Sequence, residues 1–321
     1  MKVSVCMITY NHEDFISQAL DSVLMQVVDF DYEVVVGEDC STDNTRGIAS
    51  DYANRFRDRV QLLPAEKNLG MKHNFIRTLR ACRGQYIAMC EGDDYWTSPQ
   101  KLAKQVSFLE NHPEFAVCFH NVQVIYEDRS QEPWNYCPVD QKRISTLEDL
   151  LERNFIPSCS VMFRRGLFDG FPDWFYKVAM ADWPLHILNA QYGSIGYINE
   201  VMGVYRVHQG GAWAAQREDP KLDREATIEL YQHVDARLRH RYNRLIERRL
   251  CKCYYDLALG YASSGDLAKA KIYAKRYSIR HLSCRHASTR QLLKLFLRLY
   301  APLSYRLART LRDYVRPIRS S

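Results

Sequence analysis

Nowhere in the 321 residues is there an apolar run of the ~18 to 20 residues that a membrane-spanning helix requires. The opening Met1-Lys2-Val3-Ser4-Val5 leads straight into a strand-like run with no pattern of a secretory leader, so a cytoplasmic location is expected. Glycine is missing from the turn after that run, Ile8-Thr9-Tyr10-Asn11-His12. Its absence argues against a Rossmann dehydrogenase, which needs GxGxxG there, and against the glycine-rich basic loop with which nucleotidyltransferases usually start. Cys251 and Cys253 have CxC spacing but no second pair to complete a zinc site. Cys6, Cys90 and Cys118 fall in apolar strand-like runs, as small buried hydrophobes do, and reduced thiols are expected. No recognised nucleic-acid motif accompanies the basic residues, so nucleic acid is not an expected partner.

Hydrophobic residues at 46% and charged residues at 26% are ordinary for a globular protein. Their distribution is not. Residues 1–215 carry 20 Lys and Arg against 28 Asp and Glu, a net −8, whereas residues 216–321 carry 24 against 10, a net +14. A split of this size predicts two units with different partners, 1–215 and 216–321.

The first unit reads as alternating strands and helices. Val3–Ile8 is a buried strand candidate, and Phe15, Ile16, Ala19, Leu20, Val23 and Leu24 then recur at helical spacing. Tyr32–Gly37 is a second strand, ending in Glu38-Asp39-Cys40-Ser41-Thr42-Asp43, where Ser41, Thr42 or Asp43 is placed to cap the next helix. Val60–Leu63, a helix over Asn74–Cys82 and the strand Tyr86–Cys90 follow. This alternation predicts an α/β fold with a mainly parallel sheet covered by helices on both faces. Ligands bind such sheets beyond the carboxyl ends of the strands, where both Asp39 and Asp93 fall.

Glu91-Gly92-Asp93-Asp94 offers two acidic side chains, one residue apart, at a strand end. Oxygens so placed suit a hard divalent cation that keeps positions open for diphosphate oxygens, and Gly92 would let the backbone approach a ligand closely. A solvated acidic turn is the plainer reading of these four residues alone. With Val3–Asn11, Glu38–Thr45, Asn68-Leu69-Gly70, Ala181-Asp182-Trp183 and Tyr205-Arg206-Val207-His208 in this order, however, residues 3 to about 213 resemble a family 2 glycosyltransferase of the GT-A fold.

The resemblance implies a metal-dependent, inverting transferase of the hexosyl type. Its donor would be a nucleotide diphosphate sugar, a UDP-sugar by preference, and its acceptor a glycan or lipid-linked hydroxyl in surface polysaccharide synthesis. Thr9, Tyr10 and Asp39 would line the nucleotide pocket. Asp93 and His208 would hold Mn²⁺ or Mg²⁺. Glu91 stands where the family more often has aspartate, and its longer reach implies ribose or water as its contact. Asp182 occupies the place of the catalytic base, with Ala181 where an acidic residue often precedes it; an N-cap of the helix starting Trp183-Pro184 is the structural alternative. Ser158, Trp183 and Trp213 are candidates for the acceptor border or a lid, Trp213 beside the flexible Gly210-Gly211. A non-catalytic sugar-nucleotide-binding or scaffold protein and a nucleotidyltransferase are the rival classes.

After Pro220 the strand signals stop. Tyr254, Leu257, Ala258, Tyr261 and Ala262 form one stripe, Gly265-Asp266 a turn, and Ala268–Tyr277 a second helix, a hairpin faintly similar to one tetratricopeptide repeat. Residues 280–321 hold ten Lys and Arg against Asp313 alone. Within 288–316 the cations flank leucine stripes, which suits a helix lying on the anionic inner face of the plasma membrane, and equally a helix packing its leucines on the catalytic domain.

Overall fold

The computed structural model describes residues 1–211, 219–283 and 289–300. The chain divides into two compact units, Met1–Ala214 and Ala215–Ser321.

The first unit opens with β1 (Val3–Thr9), whose apolar run is buried on both sides, as a central strand requires. Helix α1 (Ile16–Leu24) turns Ile16, Ala19, Leu20 and Val23 inward. There follow β2 (Tyr32–Glu38), α2 (Thr45–Arg55), β3 (Val60–Leu62), α3 (Met71–Ala81) and β4 (Tyr86–Met89). The chain then runs through β5 (Tyr95–Trp96), α4 (Lys101–Asn111), β6 (Phe115–Tyr126), the short β7 (Trp134–Asn135) and β8 (Ile144–Ser145), and α5 (Leu147–Glu152). A 3₁₀ turn at Ser158–Ser160, β9 (Met162–Arg164), α6 (Asp182–Asn189) and β10 (Ser194–Val207) complete the unit.

The strands form one sheet in the order β3-β2-β1-β4-β9-β6-β10-β5. From β3 to β4 the neighbours are parallel, Val5 standing opposite both Val34 and Ala88. Beyond β4 the sheet is mixed: β9 runs antiparallel between β4 and β6, and β10 is parallel to β6. The parallel half is what the strand–helix alternation predicts. The mixed half arises where alternation lapses after β4. This topology places the carboxyl ends of β1, β2, β4, β6 and β10 on one edge, and β9 enters the sheet from that same edge. Val3, Val5, Val34, Val36, Ala88 and Leu20, all fully buried, are central to the core beneath it.

Helix starts differ from the sequence expectation in instructive ways. Neither Ser41 nor Thr42 caps α2: the Ser41 hydroxyl accepts the Asn11 N–H at 2.9 Å, and Asp43 accepts the Thr45 N–H at 3.0 Å. Helix α3 begins before Asn74 because Gly70, at φ 80°, turns the chain into it at Met71.

The second unit is helical: α7 (Pro220–Arg237), α8 (Asn243–Ser263), α9 (Leu267–Ser283) and α10 (Thr289–Tyr300). Asp219 caps α7 through the Lys221 N–H, and Gly265 at φ 86° makes the α8–α9 turn. The expected stripe Tyr254, Leu257, Ala258 and Tyr261 is buried, as are Ala270, Ala274 and Tyr277 of α9. On α10, Leu295 and Leu299 are buried within the unit while Leu293, Phe296 and Tyr300 are exposed. Of the basic segment 288–316, residue 288 and residues 301–316 lie outside the described residues. Among the described residues no helix is long and apolar enough to cross a membrane, and the cysteines are free.

Candidate active site

The carboxyl edge of the sheet gathers residues from distant parts of the chain. Immediately after β4, Gly92 donates its N–H to Ile8 O at 2.9 Å, so the acidic turn lies against the end of β1. A side chain at Gly92 would meet Thr9 Oγ1 at 2.5 Å and Thr9 Cβ at 2.7 Å. The glycine is therefore required by the neighbouring strand, and not by a ligand as the sequence suggests.

Asp93 and Asp94 then point to different tasks. Asp94 is buried, and its Oδ1 accepts the Arg206 N–H at 2.8 Å, tying the turn to β10. Arg206 in turn donates from Nε to Asp93 O at 2.7 Å, from Nη2 to Gln18 at 2.6 Å and from Nη1 to Glu127, with its guanidinium over Phe15 and Tyr95. That satisfied network makes Arg206 a structural latch. The latch delivers His208, the residue after β10, to Asp93: His208 Nε2 lies 3.1 Å from Asp93 Oδ2. His12 Nε2, from the turn after β1, lies 3.7 Å from the same oxygen. Burial pushes the Asp93 carboxyl up, but the His208 hydrogen bond and the two imidazoles outweigh it and hold the group below its ordinary range.

Glu91 is held differently. Its Oε2 accepts from Ser158 Oγ at 2.6 Å, which joins the acidic turn to the 3₁₀ turn ahead of β9. Burial first, then the Asp93 charge, pushes the Glu91 carboxyl up to about 8. Asp182 is the first residue of α6, one past the Ala181 N-cap. Its Oδ2 accepts from Asn154 Nδ2 at 2.9 Å. Lys72 of α3 is buried, donates to Met180 O, and stands 4.8 Å from the Phe175 ring centre. Burial lowers its ammonium to about 8, opposed by the Asp182 charge. Lys72 thus clamps the segment that carries Asp182.

After β2, Asp39 is buried and its Oδ1 accepts the Leu69 N–H at 2.9 Å. Thr9 is buried with its hydroxyl 3.2 Å from His12 Nδ1, while Tyr10 is 42% exposed. The structure therefore brings Thr9, Glu91, Asp93, Ser158 and His208 into one cluster, and the Asp182 charge acts on Glu91 from beside it. Trp183 does not join them. Its indole is buried and donates to Leu150 O at 3.0 Å, so it serves the core and offers no sugar-stacking face. Trp213 lies outside the described residues.

Among the described residues, two groups of ligand atoms lie within 4.8 Å of one another: His12, Asp93 and His208, and Glu91, Asp93 and Asp94. Both suit a divalent cation by donor type. In the second, the Arg206 N–H takes Asp94 Oδ1 and Ser158 takes Glu91 Oε2, while Asp94 Oδ2 is buried without a hydrogen-bond partner. His12, Asn154 and Lys72 were not evident from sequence, since each is a lone polar residue in a loop or helix until the fold sets it beside an acidic partner.

The family described as "Glycosyl transferase family 2" matches residues 4–171. An uncharacterized protein of Mycobacterium tuberculosis is 42% identical over 218 residues, which is 68% of this chain and 62% of that protein. Among solved structures, Staphylococcus aureus TarS in complex with UDP-GlcNAc superposes with a TM-score of 0.56 at 18% identity, covering 89% of this chain and 93% of the other. A mannosyltransferase of Pyrobaculum calidifontis, in complex with GDP-Man and Mn²⁺, gives 0.56 at 19% identity over 98% and 84%. At these identities the likeness is one of fold, and the architecture is GT-A-like with a C-terminal helical region.

Proposed function

We propose, for a chain that belongs to glycosyl transferase family 2, that it moves a sugar from a nucleotide diphosphate donor to an acceptor hydroxyl, with inversion at the anomeric carbon. The observation that carries the reading is the state of Asp182. Asn154 holds its carboxylate, and the Asp182 charge acts on Glu91 of the acidic turn. A carboxylate positioned in this way takes the acceptor proton as the hydroxyl oxygen attacks the anomeric carbon. Attack from the face opposite the departing diphosphate inverts that centre.

Thr9, Tyr10 and Asp39 receive the nucleoside. Asp39 has one oxygen engaged by the Leu69 N–H, which leaves the other to accept an imide N–H and favours uracil. A divalent cation, Mn²⁺ or Mg²⁺, held by Asp93 and His208 would supply positive charge to the leaving diphosphate. Glu91 and Ser158, joined to each other, border the ribose and acceptor side. A growing surface glycan is the proposed acceptor, supported by the relative TarS, named a poly(ribitol-phosphate) β-N-acetylglucosaminyltransferase. The cations and exposed apolar residues of α10 would bring the enzyme to a lipid-linked acceptor at the inner membrane face.

The test is calorimetric titration of UDP, GDP and dTDP, each with Mn²⁺ and again with EDTA, followed by NMR of the product anomer. Metal-dependent binding of UDP and an inverted product are expected. Failure of every nucleotide to bind overturns the transferase reading in favour of a scaffold protein, and release of pyrophosphate would mark a nucleotidyltransferase.

A further inference from the structure

We infer that His12 is a third protein ligand of the cation site, so that the site is a two-histidine, one-carboxylate set selective for Mn²⁺ and later transition ions over Mg²⁺. The inference deepens the proposed reading, resting on it only for the use to which the ion is put.

The geometry is specific about which atom is available. His12 Nδ1 lies 3.2 Å from Thr9 Oγ1, and the tautomer that donates Nδ1–H to this hydroxyl is the one that leaves the Nε2 lone pair free for a cation. Nε2 is the atom 3.7 Å from Asp93 Oδ2, and His208 Nε2 is 3.1 Å from that same oxygen. A second hydrogen bond that fixes ring orientation is the usual support of a metal-ligating histidine. The two imidazoles meet edge to face, ring centres 5.6 Å apart at 79°, and Phe15 packs on His208 at 4.8 Å. The three ligand atoms all lie within 4.8 Å of one another, against the ~4 Å that two ligands at roughly 2 Å from a shared ion can span, so a side-chain shift of about 1 Å closes the set on an ion.

The backbone holds His12 there as well. Its N–H donates to Thr45 Oγ1 at 2.7 Å, and its carbonyl accepts from Phe15 and Ile16 at the start of α1. Asn11, the residue before it, sits at φ 55°, a left-handed conformation uncommon for a non-glycine residue. The turn is thus committed at both sides of His12. The donor set then decides the ion. Two imidazoles and one carboxylate suit Mn²⁺, Fe²⁺, Co²⁺ or Zn²⁺, whereas Mg²⁺ prefers an oxygen shell and retains its water.

His12→Asn is the discriminating variant, because asparagine keeps a polar atom near the Nδ1 position for Thr9 and deletes Nε2. Nucleotide-free full-length chain is titrated with Mn²⁺ by electron paramagnetic resonance, with Co²⁺ by its visible absorption, and with Mg²⁺ by calorimetry. Thermal melting establishes that each variant is folded. His12→Asn is expected to weaken Mn²⁺ and Co²⁺ by about 10- to 100-fold, with Mg²⁺ moved by less than about threefold. His208→Asn should weaken Mn²⁺ and Co²⁺ alike. A folded His12→Asn that binds Mn²⁺ and Co²⁺ as the wild type does overturns the assignment. So does a variant that loses UDP affinity in EDTA while keeping the ion, since His12 would then be a diphosphate donor. Because no nucleotide or acceptor enters the metal titration, failure of the transferase reading would appear separately, as absent turnover by a chain that still binds Mn²⁺.

Discussion

At the sheet edge of the first unit, Glu91, Asp93 and Asp182 stand beside His12, His208 and Lys72, mostly buried and each with few partners. In the second unit the charges sit near the surface and lean on aromatic rings. Lys221 and Lys269 lie 5.4 and 4.9 Å from the Tyr261 ring centre, and Glu225 accepts from both Tyr261 and Tyr273 at 2.8 Å. Burying a charge costs several kcal/mol unless it is well paired, roughly, whereas a solvated charge costs almost nothing. The first unit therefore holds Glu91, Asp93 and Lys72 in surroundings that shift their protonation, as functional sites often do. The second uses its charges as a surface, which suits association.

The comparison breaks most readily at Asp182. Replacing it with asparagine keeps the shape and removes the proposed base, so turnover should fall about 10²- to 10⁴-fold. UDP affinity measured by calorimetry should stay within about threefold, because the proposed function gives Asp182 no part in holding the nucleotide. A variant that retains turnover would show that proton acceptance lies elsewhere, and equal loss of binding and turnover would show that Asp182 holds the donor.

Lys72 sharpens the contrast, since it is a cation treated as the second unit treats none. Lys72→Met removes the donor to Met180 O and should lower turnover about 10- to 100-fold by loosening the segment that carries Asp182. Stability supplies an independent readout. Burial brings the folded ammonium down to about 8 from its ordinary 10.5, so between those values the unfolded chain holds more protons than the folded one. The wild type should gain stability as pH rises across that window, while Lys72→Met lacks this contribution. Urea denaturation of both proteins at pH 8 and 10.5 checks the sign, and parallel curves would mean that Lys72 is solvated.

How much of this was legible beforehand follows from the range over which each signal acts. Strand ends and the acidic turn are local patterns, and Asp39, Asp93 and His208 fall at the edge where the alternation of strands and helices puts them. His12 gave no local sign, because what distinguishes it is Asp93, 81 positions along the chain. Asp182 is open to a cap or a base in sequence, and its partner Asn154, 28 positions away, carries no local sign. Trp183 misled for a related reason: an indole at a binding surface is indistinguishable in sequence from one that fills the core, and its bond to Leu150 O decides the matter. Lys72 resembles any polar helical residue until the segment before α6 folds over it.

The smallest effect is expected on α10, where neighbouring residues face opposite ways. Leu295 is fully buried, whereas Phe296 is 43% and Leu293 60% exposed. If the exposed pair served the fold of the second unit, Leu293→Ser with Phe296→Ser would destabilise it as a core truncation does, by about 2–5 kcal/mol. If the pair serves a surface, the change should stay within about 0.5 kcal/mol per site. The double variant is accordingly expected to melt as the wild type does and to bind UDP with unchanged affinity. Its retention on anionic phospholipid vesicles in a sedimentation assay should nevertheless fall, because the apolar contribution is lost while Lys294 and Arg298 remain. Wild-type protein that ignores such vesicles would remove the membrane from the proposed function and leave the sheet-edge chemistry untouched.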